Sequence, residues 1–299
     1  MRLNAALLLS LSISIIEVLA AHSVVRRMTD DNLAHGGECG TPYTLKDDEI
    51  MKTAFERVER ERKQQKRQVN LNPIVFDLHV AVVAANMTYN GGWVPAKHIE
   101  DQVKVLNAGY LDAGVSFDLK SVRRILSRRY HDLLNVPETD EQAIMLSNYG
   151  KAFRLGDVKT LNVNLIGFTT DPETYGFALP PSFYAEFPEY DGAYIRFDSL
   201  PGGASPVRQG STLIHEVGHW LSLWHTFQNG CEGFGDEISD TPAEAGPATG
   251  CPETRDSCPL QPGLDPVWSY MDYSAEGCRV RFSPMQIDRM RTAIDAFRS

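Results

Sequence analysis

Between Gly210 and His225 the chain reads Gly-Ser-Thr-Leu-Ile-His-Glu-Val-Gly-His-Trp-Leu-Ser-Leu-Trp-His. On a helix, the four-residue spacing of His215 and His219 puts both imidazoles on one face, one turn apart. Two imidazoles so placed can hold one Zn²⁺ at about 2.0–2.1 Å each. Glu216 comes round beside such an ion, where its carboxylate can take a proton from water held there. Leu213, Val217 and Leu221 repeat at four-residue spacing on the other side and pin the helix to a core. Two histidines on a helix can also be unrelated packed or surface groups. That is the reading for His22, His35, His79, His98 and His131, which have no such companions.

His225 lies too far along to stay on the helix and reach the same ion, unless the chain turns sharply after His219. Three imidazoles and one water make an open, catalytic tetrahedral site. The long form His-Glu-x-x-His-x-x-Gly-x-x-His is the metzincin signature. Here Ser222 stands where that pattern has Gly, so the turn requires a non-glycine residue in the left-handed region, costing about 1 kcal/mol. Glu232 and Glu237 are the alternative third ligands. Downstream, Trp268-Ser269-Tyr270-Met271-Asp272-Tyr273 offers a Met-containing turn. Met271 would be a soft apolar floor beneath the imidazoles, or an ordinary core Met. Tyr273 would swing its phenol toward the oxyanion developing at a scissile carbonyl, or simply pack.

The elements that must carry these groups alternate. Ile74–Val83 is β-rich, Pro95–Leu111 has helical spacing with Pro at its start, and Val115–Leu126 reads as a strand. A helix over Pro137–Lys151 and strands over Thr160–Ile166 and Gly192–Asp198 follow. This order predicts an α/β sheet domain. The last hundred residues are rich in Gly and Pro until a closing helix, Pro284–Phe297.

Leu7–Ala21, with Arg2 before it and small residues at its end, fits a secretory signal peptide over residues 1–20. An uncleaved anchor ranks second, since the run is short for a span. Residues 56–67, nine of twelve of them charged, have almost nothing to bury and end in Lys66-Arg67, a dibasic site ahead of the first strand. Residues 46–67 read as a charged helix or a disordered strap, residues 21–67 as a pro-segment, and 68–299 as one catalytic domain. The full chain carries a formal charge of −10, and residues 68–299 hold 18 basic and 29 acidic side chains. That balance gives no electrostatic reason to bind nucleic acid. Asn86-Met87-Thr88 is an N-glycosylation sequon. Of five cysteines, Cys231, Cys251, Cys258 and Cys278 crowd the last quarter, as two disulfides of open connectivity would. Cys39 stands alone.

The run His215–Gln228, Ser239-Asp240-Thr241-Pro242, Cys251-Pro252 and Tyr270-Met271-Asp272-Tyr273 resemble the pappalysin/ulilysin family of metzincins, the small secreted fungal metalloproteases in particular. The resemblance implies a zincin of two lobes: a mixed twisted sheet with the zinc helix above, an irregular disulfide-stapled part below. It implies pairing of Cys231 with Cys258 and of Cys251 with Cys278; the nested pairing, Cys231 with Cys278 and Cys251 with Cys258, stays open on sequence. It implies that Cys39, in Glu38-Cys39-Gly40-Thr41, is a latency thiol occupying the open metal position. It further implies calcium at the acidic loop 235–241, with Asp236 and Thr241 as ligands, and substrate pairing along an edge strand at Tyr194–Phe197. The expected protein is a secreted, extracellular, monomeric zinc endopeptidase acting on proteins or peptides, with no membrane partner once the signal is cut. The alternative is a non-catalytic, zinc-stabilised binding protein on the same fold, which would be expected to have lost Glu216.

Overall fold

The computed structural model describes residues 15–29, 38–42, 44–65, 72–204, 208–233 and 235–299. Residues 1–14 of the expected signal peptide, and the dibasic pair Lys66-Arg67, lie outside the described residues. The chain forms α1 (Ile15–Thr29), α2 (Leu45–Gln65), β1 (Ile74–Ala84), α3 (Ala96–Gly109), β2 (Val115–Leu126), α4 (Arg128–Leu133), α5 (Asp140–Phe153), β3 (Thr160–Ile166), β4 (Gly176–Ala178), β5 (Ala193–Arg196), α6 (Ser211–Trp220) and α7 (Pro284–Phe297). The sheet order is β2-β1-β3-β5-β4, parallel except for β4, which runs antiparallel to β5.

Alternation along β1 sends Phe76, Leu78, Val80 and Val82 to one face, where they join Leu106 of α3, Leu213 and Val217 of α6 and Met290 of α7. Ala81 and Val83 face the other way, into a second core with Leu146 and Tyr149 of α5. The central strands are covered on both faces: β1 ends in a continuous apolar run, Val80–Ala84, while β3 also buries Asn162 and Asn164. No described helix is long and apolar enough to cross a membrane.

One expectation fails here. The strand Tyr194–Phe197 is not the sheet edge: β4 lies outside it, with Phe177 paired to Tyr194. The edge that remains belongs to β4, and residues 38–41 already lie along it. Cys39 bridges Gly176 in parallel, the Gly40 amide donates to Gly176 O (2.9 Å) and the Tyr175 amide to Glu38 O (2.7 Å).

The N-terminal residues hold to the body at several points. α1 buries Ala21 and Val24 against α5. α2 is a helix along its whole charged length, and its run is not merely solvated: Met51 and Val58 are buried, and Phe55 meets Phe297 of α7 edge to face. Between the two helices the buried Arg27 pairs with Asp47 (2.5 Å) and with Glu186, and lies 4.1 Å over the Phe183 ring.

Residues 221–283 are irregular and stapled. Cys231 is bonded to Cys258 and Cys251 to Cys278, each across 27 residues, so the staples cross and the nested pairing does not occur. Loops of that length are worth about 3.5 kcal/mol each in a chain-entropy account. The buried Glu244 carboxylate accepts from the Thr226 hydroxyl (2.9 Å) and pairs with Arg255, which also holds Asp265 (2.7 Å).

Candidate metal centre

α6 is buried along its whole length, so its side chains are fixed from every side. The Tyr110 hydroxyl donates to Ile214 O (2.8 Å), and Trp220 Nε1 donates to Asp191 (2.9 Å), itself paired with Arg298 (2.8 Å). The helix opens at Gly210, whose φ of 106° only glycine takes cheaply. It ends where Ser222 takes φ 80°. The sharp turn expected after His219 is therefore present, with serine in the left-handed region. Arg289 Nε donates to Ser222 O (2.8 Å), the Ser222 amide to His219 O (2.8 Å), and the Ser222 hydroxyl meets Met51 Sδ (3.1 Å). Ser222→Gly should relieve about 1–2 kcal/mol of strain and return part of it as unfolded-state entropy. A net gain near 0.5–1 kcal/mol, a rise of roughly 1–3 °C in melting temperature, is the expected result; a fall would contradict it.

The turn brings His225 back under the helix. His215 Nε2 and His225 Nε2 each lie 3.1 Å from His219 Nε2. His215 Nδ1 donates to Tyr270 O (2.7 Å) and His219 Nδ1 to Leu223 O (2.8 Å). With Nδ1 committed as donor, Nε2 is left with a lone pair, and lone pairs at 3.1 Å repel unless a cation lies among them. Ligands at 2.0–2.1 Å from a tetrahedral ion stand about 3.3 Å apart, close to what these nitrogens adopt. The donor set fits a divalent metal. The alternative ligands lie elsewhere: Glu237 pairs with Arg289 (3.0 Å), and Glu232 is exposed.

Among the described residues, the one group of three or more potential ligands is Cys39 with these histidines, all four ligand atoms lying within 4.8 Å of one another. The thiol is free and buried. Cys39 Sγ donates to Glu216 Oε2 (3.4 Å), and the Thr41 hydroxyl donates to the same oxygen (3.2 Å). Glu216 sits directly beneath β4, where a Cβ on Gly176 would come within 2.7 Å of its carboxylate. Burial pushes Glu216 up to about 8, against the hydrogen bonds from Cys39 and Thr41. Burial likewise pushes the Cys39 thiol well above its ordinary value and holds His215 well below and His219 down near 4. Neutral imidazoles are the form that ligates a metal.

Met271 lies under the helix, its sulfur where a Cβ on Gly218 would reach 2.4 Å, so any larger residue at 218 would have to displace the Met271 side chain. Its carbonyl accepts from the Thr226 amide (3.2 Å). The Tyr273 hydroxyl lies 3.2 Å from His225 Nε2 and donates to Cys39 O at the same distance. The loop 235–241 turns inward: Asp236 accepts from the Thr241 hydroxyl (2.8 Å) and the Ile238 amide (3.0 Å), while Asp240 accepts from Ser283 (2.5 Å) and Met285 (3.0 Å) at the start of α7. Asn86 is exposed, and its Oδ1 accepts from the Thr88 amide (2.9 Å) and hydroxyl (2.6 Å). Sequence reasoning missed β4, Thr41 as a partner of Glu216, and Arg208 and Arg279, which line the cleft beside it. Only Thr41 had a local signal, in its closeness to Cys39.

Fold and site together define a metallopeptidase of the metzincin kind. The Peptidase_M43 family model, described as pregnancy-associated plasma protein-A, matches residues 176–295. An extracellular metalloprotease of Verticillium alfalfae is 36% identical over 261 residues, spanning 85% of this chain and 89% of that one. Another from Pyricularia oryzae is 37% identical over 227 residues, 76% of this chain and 77% of the other. Among solved structures, a promirolysin mutant of Tannerella forsythia superposes with TM-score 0.65 at 23% identity, covering 87% of this chain and 95% of that one. The chain belongs to the pappalysin family of metalloproteases, alongside these fungal extracellular enzymes.

Proposed function

We propose that the chain is a secreted zinc endopeptidase made as a latent precursor: signal peptide 1–20, pro-segment 21–67, catalytic domain 68–299. The convergence of three imidazole nitrogens beside one buried carboxylate carries this reading. His215, His219 and His225 would hold the ion, and zinc, when bound, supplies Lewis acidity toward water and the scissile carbonyl. Glu216 would take the proton of the attacking water and hand it to the leaving amine. Tyr273 would donate to the developing oxyanion. The edge of β4 would pair with the substrate backbone, leaving selectivity to the cleft beside it. In the precursor, residues 38–41 occupy that edge while Cys39 and Thr41 engage Glu216.

Export is supported by the extracellular relatives and the stapled cysteines, and Asn86 stands exposed for a glycan. A calcium ion on Asp236 and Thr241, and a monomeric state, complete the reading. Metal analysis of the processed protein should give one zinc per chain. Chelation should stop casein hydrolysis and added zinc restore it. Hydrolysis by a chelated, zinc-free preparation would overturn the proposal.

A further inference from the structure

Trp220 closes α6 one residue after His219, and its carbonyl accepts from Arg298 Nη2 (3.2 Å). The same nitrogen donates to Asp191 (2.8 Å), and the guanidinium lies 3.7 Å over the Trp220 ring. Trp220 Nε1 donates to that Asp191 oxygen too (2.9 Å), so indole, carboxylate and guanidinium meet in one buried knot at the end of the helix. Arg154 holds the other Asp191 oxygen (3.1 Å), and Arg298 Nη1 reaches Val158 O (3.4 Å). None of these partners belongs to residues 21–67, so the knot does not depend on that segment. Two carbonyls beyond Trp220, Ser222 O is held by Arg289, and Leu223 O by His219 Nδ1. The left-handed turn between the second and third histidines is thus clasped on both sides by arginines, one in α7 and one capping it.

We infer that Arg298 is a positioning residue for the metal centre, through its grip on the last carbonyl of α6. The inference rests on the zinc endopeptidase reading above. Ser222 sits in a backbone region that a non-glycine residue leaves when it is free to. With Trp220 O released, the turn is held on one side only, and its relaxation moves the peptides of Ser222 and Leu223. Leu223 O then draws away from His219 Nδ1, the contact that fixes that ring's tautomer and direction, and His225 swings with the same stretch of chain. Removing a group directly behind a ligating histidine costs 10–100-fold in metal affinity in general. Arg298 stands one step further back, so the lower end, about tenfold, is expected. Its loss does not strand a charge, because Asp191 keeps Arg154 and the Trp220 indole.

The test is zinc competition against a chromogenic chelator on the processed protein, well below its melting temperature, with kcat and KM measured on the zinc-saturated form. Arg298→Gln should weaken zinc binding about tenfold and lower kcat, leaving KM in place. Arg154→Gln takes the other cation from Asp191 without touching Trp220 O, so it should lower the melting temperature and keep the parent's zinc affinity. Arg298→Gln with the parent's zinc affinity and kcat, and only a lower melting temperature, makes the residue a matter of stability and overturns the inference. Equal loss of zinc in Arg154→Gln overturns it as well, by tracing the effect to the carboxylate. Should Arg298→Gln not fold, Arg298→Lys decides: its shorter stem should still cost zinc affinity, and an affinity equal to the parent's refutes the inference. A parent that binds no zinc instead overturns the endopeptidase reading, and this inference with it.

Discussion

Glu216→Gln is expected to lower peptide hydrolysis by roughly 10²–10⁴-fold while the histidine site keeps its metal. Gln has the same shape and can still accept from the Thr41 hydroxyl, so the buried helix loses no volume and gains no unpaired charge. What it cannot do is take a proton. A drop of that size is about 3–5 kcal/mol in barrier, more than a surface or packing change at one residue produces without unfolding the protein. Measuring kcat and bound zinc on the same preparation separates the two. Retained zinc with kcat reduced a hundredfold or more assigns the proton to Glu216. A variant as fast as the parent would remove it from the mechanism, and a metal-free variant would make it a structural residue.

How much of this was legible beforehand follows the range of the interactions involved. β2 matches its expected limits, Val115–Leu126, and the closing helix matches Pro284–Phe297, because alternation and a capped helical period are written locally. The pair His215 and His219 with Glu216 is equally local. His225 was readable only through its pattern, since nothing in serine's preferences announces φ 80° at Ser222; the turn is held from a distance by Arg289 of α7. β4 is three residues long, too short for any period, and exists through its pairing with β5 and with residues 38–41. Missing it misplaced the sheet edge by one strand. In α2 the signal was present but faint: Met51, Phe55 and Val58 keep helical spacing amid charge, a narrow seam that packs against α7 and Trp224. Arg208 and Glu38 lie 170 residues apart, and no short-range rule joins them.

Cys39→Ser in the uncut chain is the second large effect: hydrolysis before any processing should rise on the order of 10²-fold over the uncut parent. The parent's N-terminal segment is held by unlike contacts, and they should be weighed separately. The backbone pairing to β4, Glu38 on Arg208, Arg27 with Asp47, and α2 against α7 all survive the substitution. The thiol's place among three imidazoles does not, and serine, a far poorer ligand than thiolate, cannot take it over. Roughly 2.7 kcal/mol lost from the closed arrangement raises an open population about a hundredfold, leaving the variant still slower than processed enzyme. Cys39→Ala tells which function of the thiol matters. Serine can still donate to Glu216, as Cys39 does at 3.4 Å, and alanine cannot. If occupation of the metal position dominates, the two variants should be equally active; if the hydrogen bond to Glu216 dominates, only alanine should be released. Thr41→Ala completes the comparison, removing the other donor to that carboxylate and leaving the sulfur in place, so by itself it should leave the precursor latent. Full activity in uncut Thr41→Ala, with none in uncut Cys39→Ser, would move the source of latency from the sulfur to the carboxylate.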